Sequence, residues 1–428
     1  MRNISFLVFL VFFQLLKSQT YVLIPDFRFA SYLRAFYVPA AMKGDSLDIS
    51  HPLVTTGTKS IVVRNPVYSP AMDGGVKDIN GIQYFKALTY LDCSLNQSLT
   101  ALPVLPQQLT DLICKGTSIK TFPALPKTLI NFDCSYARVR TLPALPASLL
   151  YLNCDFDSLK TLPVLPGTLR ILYCRANLLN SLPARPASLR DIDFSYNFIT
   201  TVPKMPDSLF VLDCSSNSVV ALPSPLPSAL KILRCDSNSI SCLPLLPATL
   251  KALNCSWNPL TNLPTLPSAL EELYCIEARI NCFPEFPASI LPAYSLPLET
   301  GPAYLRYSIR IEGNPAKCVP NHLPECMRPQ ELAMPLCTPD QCSEVEREGS
   351  CGVELALYPN PTHGTFTIQL DKPMSATAQV YDLNGNLILE QSGNKKLVIN
   401  SGFIADGLYL VRISTEEGIF NKKVIIMK

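Results

Sequence analysis

Histidine and tryptophan are nearly absent: the 428 residues contain His51, His322, His363 and one tryptophan. The histidines lie far apart, with no cysteine or carboxylate at metal-ligand spacing around them, which sets histidine catalysis and a histidine metal site aside. Net charge is also missing. Lys+Arg number 36 against 34 Asp+Glu, and removing Arg2 and Lys17 with the leader brings the two level. No basic stripe remains to mark a nucleic-acid footprint, so no nucleic-acid partner is expected. A nucleophile elbow, a glycine-rich phosphate loop and a metal motif are likewise lacking. No catalytic residues, cofactor or metal are therefore expected.

No apolar run reaches the roughly 20 residues that a membrane-spanning helix needs. The longest, Ile4 to Leu16, follows Arg2 and precedes Lys17-Ser18-Gln19-Thr20, the order of a secretory signal peptide. We place cleavage near Gln19, so that 1–19 is the leader. No cysteine follows the run, against a lipid-modified N-terminus, and the mature chain is expected to hold no transmembrane helix.

Proline (39) and cysteine (16) are abundant, and both are periodic. From Leu88 a unit of 20, occasionally 21, residues recurs ten times, from LTYLDCSLN through LRILYCRAN at Leu169 to LEELYCIEA at Leu270. Each unit is followed by an LPxLP-like segment. Such a period is the mark of a stacked repeat, in which each unit buries its apolar side only against its neighbours. The unit resembles the leucine-rich repeat, and that resemblance implies one strand per turn with alternate residues in the core, so that Leu88, Leu91, Cys93 and their equivalents face inward. Asn96, Asn177, Asn197, Asn217, Asn238 and Asn258 are expected to turn the chain and bond backbone groups that the ladder leaves unpaired. Thr117, Ala137, Asp157 and Ala278 stand at the same position and should interrupt that series. The prolines fit an extended outer return that forms no ladder.

Cysteine holds the third core position in nine units, with Phe194 in the other. We read the column as small buried apolar thiols filling a narrow core, not as a metal or redox ladder. Cys242 and Cys282 follow the turn, are too far apart to bond each other, and are expected to be buried as well.

The repeat resembles the leucine-rich repeat L-x-x-L-x-L/C-x-x-N, and its short LPxLP form is similar to repeats of bacterial surface and effector proteins. The resemblance implies a solenoid with parallel strands on one side and an extended, polyproline-like outer side. Solvent-facing residues between the core positions then include Tyr136, Tyr151, Phe156, Tyr173, Arg175, Tyr196, Trp257 and Tyr274, a candidate surface for a protein or glycan ligand. Asp92, Asp133, Asp193 and Asp213 share one strand position that could attract cations, but the gaps in the column argue against a bound metal.

Residues 20–87 fall outside the period and read as an N-terminal cap, with a helix over Phe27 to Phe36 capped by Asp26. Strand-like residues follow at Ser60 to Arg64. The repeats occupy 88–317, where an insertion precedes a last partial unit marked by Ile309, Ile311 and Asn314. A Cys- and Pro-rich segment, 318–352, holds Cys318, Cys326, Cys337, Cys342 and Cys351. In an exported chain these are disulfide candidates, with the odd thiol left over or paired elsewhere, and a zinc site is the rival.

Residues 353–428 change texture to alternating strands and Gly/Asn turns, with a hairpin at Asp382–Gly385. They resemble the type A C-terminal sorting domain of the Bacteroidetes type IX secretion system. The matching elements are Pro359-Asn360-Pro361 with Gly364, Asp382 with Gly385, Gly407 with Tyr409, and Lys422-Lys423. The resemblance implies an Ig-like β-sandwich, Sec export, recognition by the outer-membrane secretion machinery and a destination at the cell surface or beyond it. The reading is a secreted or surface protein that binds a macromolecule. Its rivals are a structural surface-layer component and an exported hydrolase.

Overall fold

The computed structural model describes residues 20–65, 75–290, 294–298, 301–306, 308–316, 318–319, 334–337, 355–370, 375–415 and 418–427. The leader and Cys326, Cys342 and Cys351 lie outside them. Two compact units divide the chain at 169/170.

In the first unit, β1 (Tyr21–Leu23), β2 (Met42–Lys43) and β3 (Ser46–Asp48) form a small antiparallel sheet in the order β1-β3-β2. Helix α1 (Phe27–Tyr32) starts where Asp26 Oδ1 accepts from the amides of Arg28 and Phe29, as an N-cap should. The helix does not run on as α to Phe36. It passes into a π-helical turn at Leu33–Tyr37. Phe29, Ala30 and Leu33 are buried under it. Strand β4 (Ser60–Val62) pairs in parallel with β5 (Tyr90–Asp92), so the periodic sheet begins one strand before the first full repeat. Strands β6 (Asp111–Ile113), β7 (Asn131–Asp133) and β8 (Tyr151–Asn153) continue it in register.

The second unit carries on the same pattern with β9 (Ile171–Tyr173), β10 (Asp191–Asp193), β11 (Val211–Asp213), β12 (Ile232–Arg234), β13 (Ala252–Asn254) and β14 (Glu272–Tyr274), all parallel. The insertion forms an antiparallel hairpin, β15 (Tyr294–Leu298) with β16 (Gly301–Arg306). Strand β17 (Ile309–Arg310) then pairs in parallel with β14, completing the partial unit.

Each strand is three residues long because only its middle residue and the flanking Leu and Cys point inward. Leu88, Leu91 and Cys93, and Leu169, Leu172 and Cys174, are fully buried. Burying each leucine contributes roughly 1.5–3 kcal/mol, realised only when the neighbouring turn is present. The nine column cysteines are reduced and buried. Burial pushes Cys93 up to about 12 and Cys114, Cys134, Cys214 and Cys235 well above the usual thiol range. These thiols are fillers and poor nucleophiles.

Two polar ladders stitch the turns together. Asn197 donates from Nδ2 to the carbonyls of Cys174, Phe194 and Ser195, and its Oδ1 accepts from the amide of Leu179. Asn217, Asn238 and Asn258 repeat the arrangement. Of the expected interruptions, Asp157 still links its turn to the one before, while Thr117 bonds only within its own turn. Asp157 Oδ1 accepts from the amides of Ala137 and Val139, and Thr117 Oγ1 donates to the Cys114 carbonyl. Asn314 takes up the pattern beyond Ala278, accepting from Ile280 and donating to Cys275.

The second ladder was not read from the sequence. The hydroxyls of Thr128, Ser148, Thr168, Ser208 and Thr249 each place their one proton between two carbonyls of the preceding turn, at 2.6–2.9 Å,. The Ser or Thr before the first Leu of the unit was its visible signal.

The expectation that Cys242 and Cys282 resemble the column is corrected: both are disulfide-bonded. Cys282 is buried as expected and packs with Cys318 and Cys337, while Cys242 is half-buried; what differs from the column is that neither is a free thiol. Cys318 bonds Cys337 across a Cα–Cα distance of 4.9 Å.

The C-terminal domain is a β-sandwich. One sheet orders β18 (Leu355–Tyr358), β19 (Thr365–Leu370) and β22 (Lys396–Asn400) as β18-β19-β22. The other orders β20 (Ser375–Tyr381), β21 (Leu387–Asn394), β23 (Gly407–Thr415) and β24 (Gly418–Ile426) as β21-β20-β23-β24. Period-two alternation puts Phe366, Ile368, Val380, Val411, Ile413 and Val424 into the shared core,.

Candidate functional site

The predicted ligand-facing residues separate into positions with different geometry. Tyr151, Tyr173 and Tyr274 lie on strands and are half-buried. Tyr136, Phe156, Tyr196 and Trp257 sit three residues past the ends of their strands, immediately before the ladder position, with φ of 59°, 54°, 55° and 52°. Every unit is left-handed there: Gly116 and Gly313 occupy equivalent places at 66° and 75°, as do Ala176, Ser216, Ser237 and Glu277 at 51–56°. The turn redirects the chain after the strand, and its backbone is the same whatever the side chain. Glycine suits it best, and a bulky residue costs about 1–2 kcal/mol.

The aromatic rings at this position are exposed, at 49% for Tyr136, 38% for Phe156, 53% for Tyr196 and 50% for Trp257. In the first unit Tyr136 and Phe156 stack with centroids 4.4 Å apart and planes 10° from parallel, and Lys115 Nζ lies 5.9 Å from the Tyr136 centroid. In the second, the Arg175 guanidinium covers Tyr196 at 4.8 Å. Stacking along the repeat axis covers ring faces and turns ring edges outward. Tyr173 instead donates to Asp191 Oδ2 at 3.1 Å.

The aspartate column is not arranged around a cation. Oδ1 of Asp92, Asp133 and Asp213 accepts both the amide and the hydroxyl of the serine two residues on, and Asp193 accepts the Ser195 amide. The recurring Asp-x-Ser is therefore a strand-end cap, whose spacing was the visible signal that the sequence reading passed over in favour of a cation column. Asp92 also meets Arg64 at 2.6 Å, and Arg234 lies 3.8 Å from Asp213. Burial raises the pKa of Asp191. Burial also raises Asp213, with the neighbouring Asp193 adding to it. Asp236 is pushed up to about 6, by burial and then by Asp213. Among the described residues, no group of three or more His, Cys, Asp or Glu is placed to hold a metal ion, and no helix is long and apolar enough to cross a membrane.

The sorting-domain motifs are distant in sequence and interlock in space. Asn360 donates from Nδ2 to the Lys423 carbonyl and accepts at Oδ1 from the Ile425 amide. Thr362 donates its amide to the Ile425 carbonyl and accepts from Met427. The first motif thus pairs with the outer edge of the last strand. Asp382 accepts from the amides of Asn384 and Asn386 and from Asn386 Nδ2, which holds its carboxyl below the usual range. Gly385 completes that turn at φ 83°, where a side chain would be strained,. Tyr409 is buried and donates from its hydroxyl to the Ala405 carbonyl, whereas Lys422 and Lys423 are exposed.

One short parallel strand per 20-residue turn, an asparagine ladder behind it and a proline-rich return define a leucine-rich-repeat solenoid. Residues 356–427 match the family described as the secretion system C-terminal sorting domain. The chain is accordingly an exported leucine-rich-repeat protein bearing a type IX sorting tail.

YopM from Yersinia enterocolitica WA-314 is similar at 31% identity over 48% of this chain and 50% of that one, with a TM-score of 0.44. YopM from Yersinia pestis, a leucine-rich effector protein, is 30% identical over 50% of this chain and 67% of that one, with a TM-score of 0.47. The functional domain of InlJ from Listeria monocytogenes, which includes a cysteine ladder, is 18% identical over 96% of this chain and 100% of that one, with a TM-score of 0.49. This chain spans about half the length of the first of these structures. No curated protein matches it.

Proposed function

We propose that the chain is a non-catalytic recognition protein. It leaves the cytoplasm by the Sec route, crosses the outer membrane through the type IX machinery that reads residues 353–428, and binds a protein or glycan with its strand-side surface. The observation that carries the recognition step is the use of Tyr136, Phe156, Tyr196 and Trp257 at a left-handed position that glycine fills at lower cost,. The solenoid core does not need these rings, since half of each is in solvent or nearly so. Aromatic residues there add contact area with few rotamers to freeze.

Probing protein and glycan arrays with the full chain tests the proposal. A specific ligand is expected, and a variant with Tyr136, Phe156, Tyr196 and Trp257 all changed to serine should lose it while keeping its thermal unfolding midpoint. Undiminished capture by that variant would remove these rings from the recognition surface. Recovery of nothing but further copies of the chain would favour the surface-layer role instead.

A further inference from the structure

The two outer faces of the C-terminal sandwich differ in chemistry. On the three-stranded sheet the outward side chains of β19 and β22 are Thr365, Thr367, Gln369, Lys396, Val398 and Asn400, with one aliphatic among them. On the four-stranded sheet, the register aligns Leu387, Tyr381, Leu410 and Lys423 in one row, with Leu408 opposite Ile425 in the next. Leu387 is 50% exposed, Ile425 41%, Leu408 39% and Leu410 39%, and Leu383 at the adjoining turn is 75% exposed. Five aliphatic side chains in contiguous exposure are unusual for a solvated face and mark a surface that another molecule covers.

An open depression of about 500 Å³ lies on this face, and Asp382, Gly385, Tyr409 and Lys423 of the sorting motifs line it beside Leu408 and Leu410. The motif residues thus do more than shape turns: they frame one apolar surface. Its charges are unequal in availability. Asp382 is occupied by its own turn, and Glu390 accepts from Gln379. Arg412 and Lys423 are exposed, and no carboxylate among the described residues pairs with them.

Strand addition at the end of the sheet is a poorer route for a partner. The outward hydrogen-bonding groups of β24 at Lys423 and Ile425 are already taken by Asn360 and Thr362, which blunts the edge. That leaves the face.

We propose that the outward face formed by Tyr381, Leu383, Leu387, Leu408, Leu410 and Ile425 is where the secretion machinery grips the sorting domain. The partner is a protein of that machinery presenting an apolar surface bordered by carboxylates, which meet Arg412 and Lys423. This rests on the sorting reading of residues 353–428.

The full chain is expressed in a bacterium with an active type IX system, and the fractions reaching the surface and medium are compared with that held in the periplasm. Leu408→Gln with Leu410→Gln is expected to reduce export roughly tenfold, the effect of losing about 1.4 kcal/mol of recognition. Arg412→Glu with Lys423→Glu, whose side chains are solvent-exposed and leave the fold intact, should reduce it as well. Val398→Gln on the opposite face should export like the parent chain.

Wild-type export by both double variants overturns the proposal. So does loss of export by Val398→Gln to the same degree, or a purified full chain that is dimeric until Leu408 and Leu410 are changed while export is unaffected. Deleting residues 353–428 separates the two levels. If deletion leaves export intact, the sorting reading itself fails. If deletion abolishes export and the face variants do not, only the docking surface fails.

Discussion

Replacing Asp157 by asparagine should make the solenoid more stable at neutral and alkaline pH and leave it little changed in acid. In the ladder, asparagine uses both ends of its amide: Asn177 donates to the carbonyls of Cys174 and Arg175, and Asn197 Oδ1 receives the Leu179 amide. Asp157 reproduces the accepting end, taking the amides of Ala137 and Val139. An ionised carboxylate has no proton to give the carbonyl three residues back. Burial drives its pKa from 3.8 up to about 7, against the pull of those two amides. A raised folded-state pKa means that the folded chain binds the extra proton. The contribution is complete below the unfolded value of 3.8 and lost as pH rises through about 7,.

The difference between those two values is worth about 4 kcal/mol at most,. The Asp157→Asn substitution would remove the titration and supply the missing donor. Urea midpoints of the full chain followed by pulse proteolysis at pH 4, 6 and 8 read the effect. Parent and variant should converge at pH 4 and separate progressively, with the variant the more resistant at pH 8. Midpoints that move in parallel across that range would refute the reasoning, because the carboxyl would then not be titrating in the folded state.

The asparagine ladder predicts a cost elsewhere. Asn197→Ala removes donations to three carbonyls and leaves the Leu179 amide without its acceptor, so a loss of about 2–3 kcal/mol is expected in the same assay,. The nine column thiols should resist a thiol-specific disulfide reagent in the native chain at pH 8 and react only as urea unfolds it,. A fast-reacting column thiol without unfolding would contradict that. Gly385→Ala, at φ 83°, should destabilise the sorting domain by about 1 kcal/mol and lower its melting temperature, whereas Gly364→Ala, with nothing within 4 Å of the added methyl, should not,. The Asp382 turn, whose carboxyl is held low, should keep its amide protection above the ordinary carboxylate range and lose it as pH falls,.

The solenoid was legible because its information is local and repeated. Leu, Leu and Cys at fixed spacing specify a three-residue strand and its inward side, and ten repetitions leave little freedom in the stacking,. The sorting domain was legible from period-two runs such as Thr365–Leu370 and from the turn at Asp382. What escaped depends on neighbours in space. Asp157 looks like a defect in the asparagine series until the amides of Ala137 and Val139 are placed against it. Likewise, the bonding of Cys242 and Cys282 depends on how the turns present their side chains, which spacing does not encode. The ligand-facing residues were read as one alternating set, yet the left-handed turn moves Tyr136, Phe156, Tyr196 and Trp257 off the strands that carry Tyr151, Tyr173 and Tyr274.

The cysteine column has a consequence for when the chain must fold. On the proposed Sec route the chain passes through a compartment that drives thiols toward disulfides, and it carries nine thiols that are free and buried once folded. An unfolded molecule delayed there offers many equivalent wrong partners, each of which would lock two rungs out of register. Closure of the turns removes all nine from reach at once. On that route dwell time before closure would act as a quality filter: molecules that stack promptly would go forward with their core intact, and slow ones would be trapped by their own oxidation.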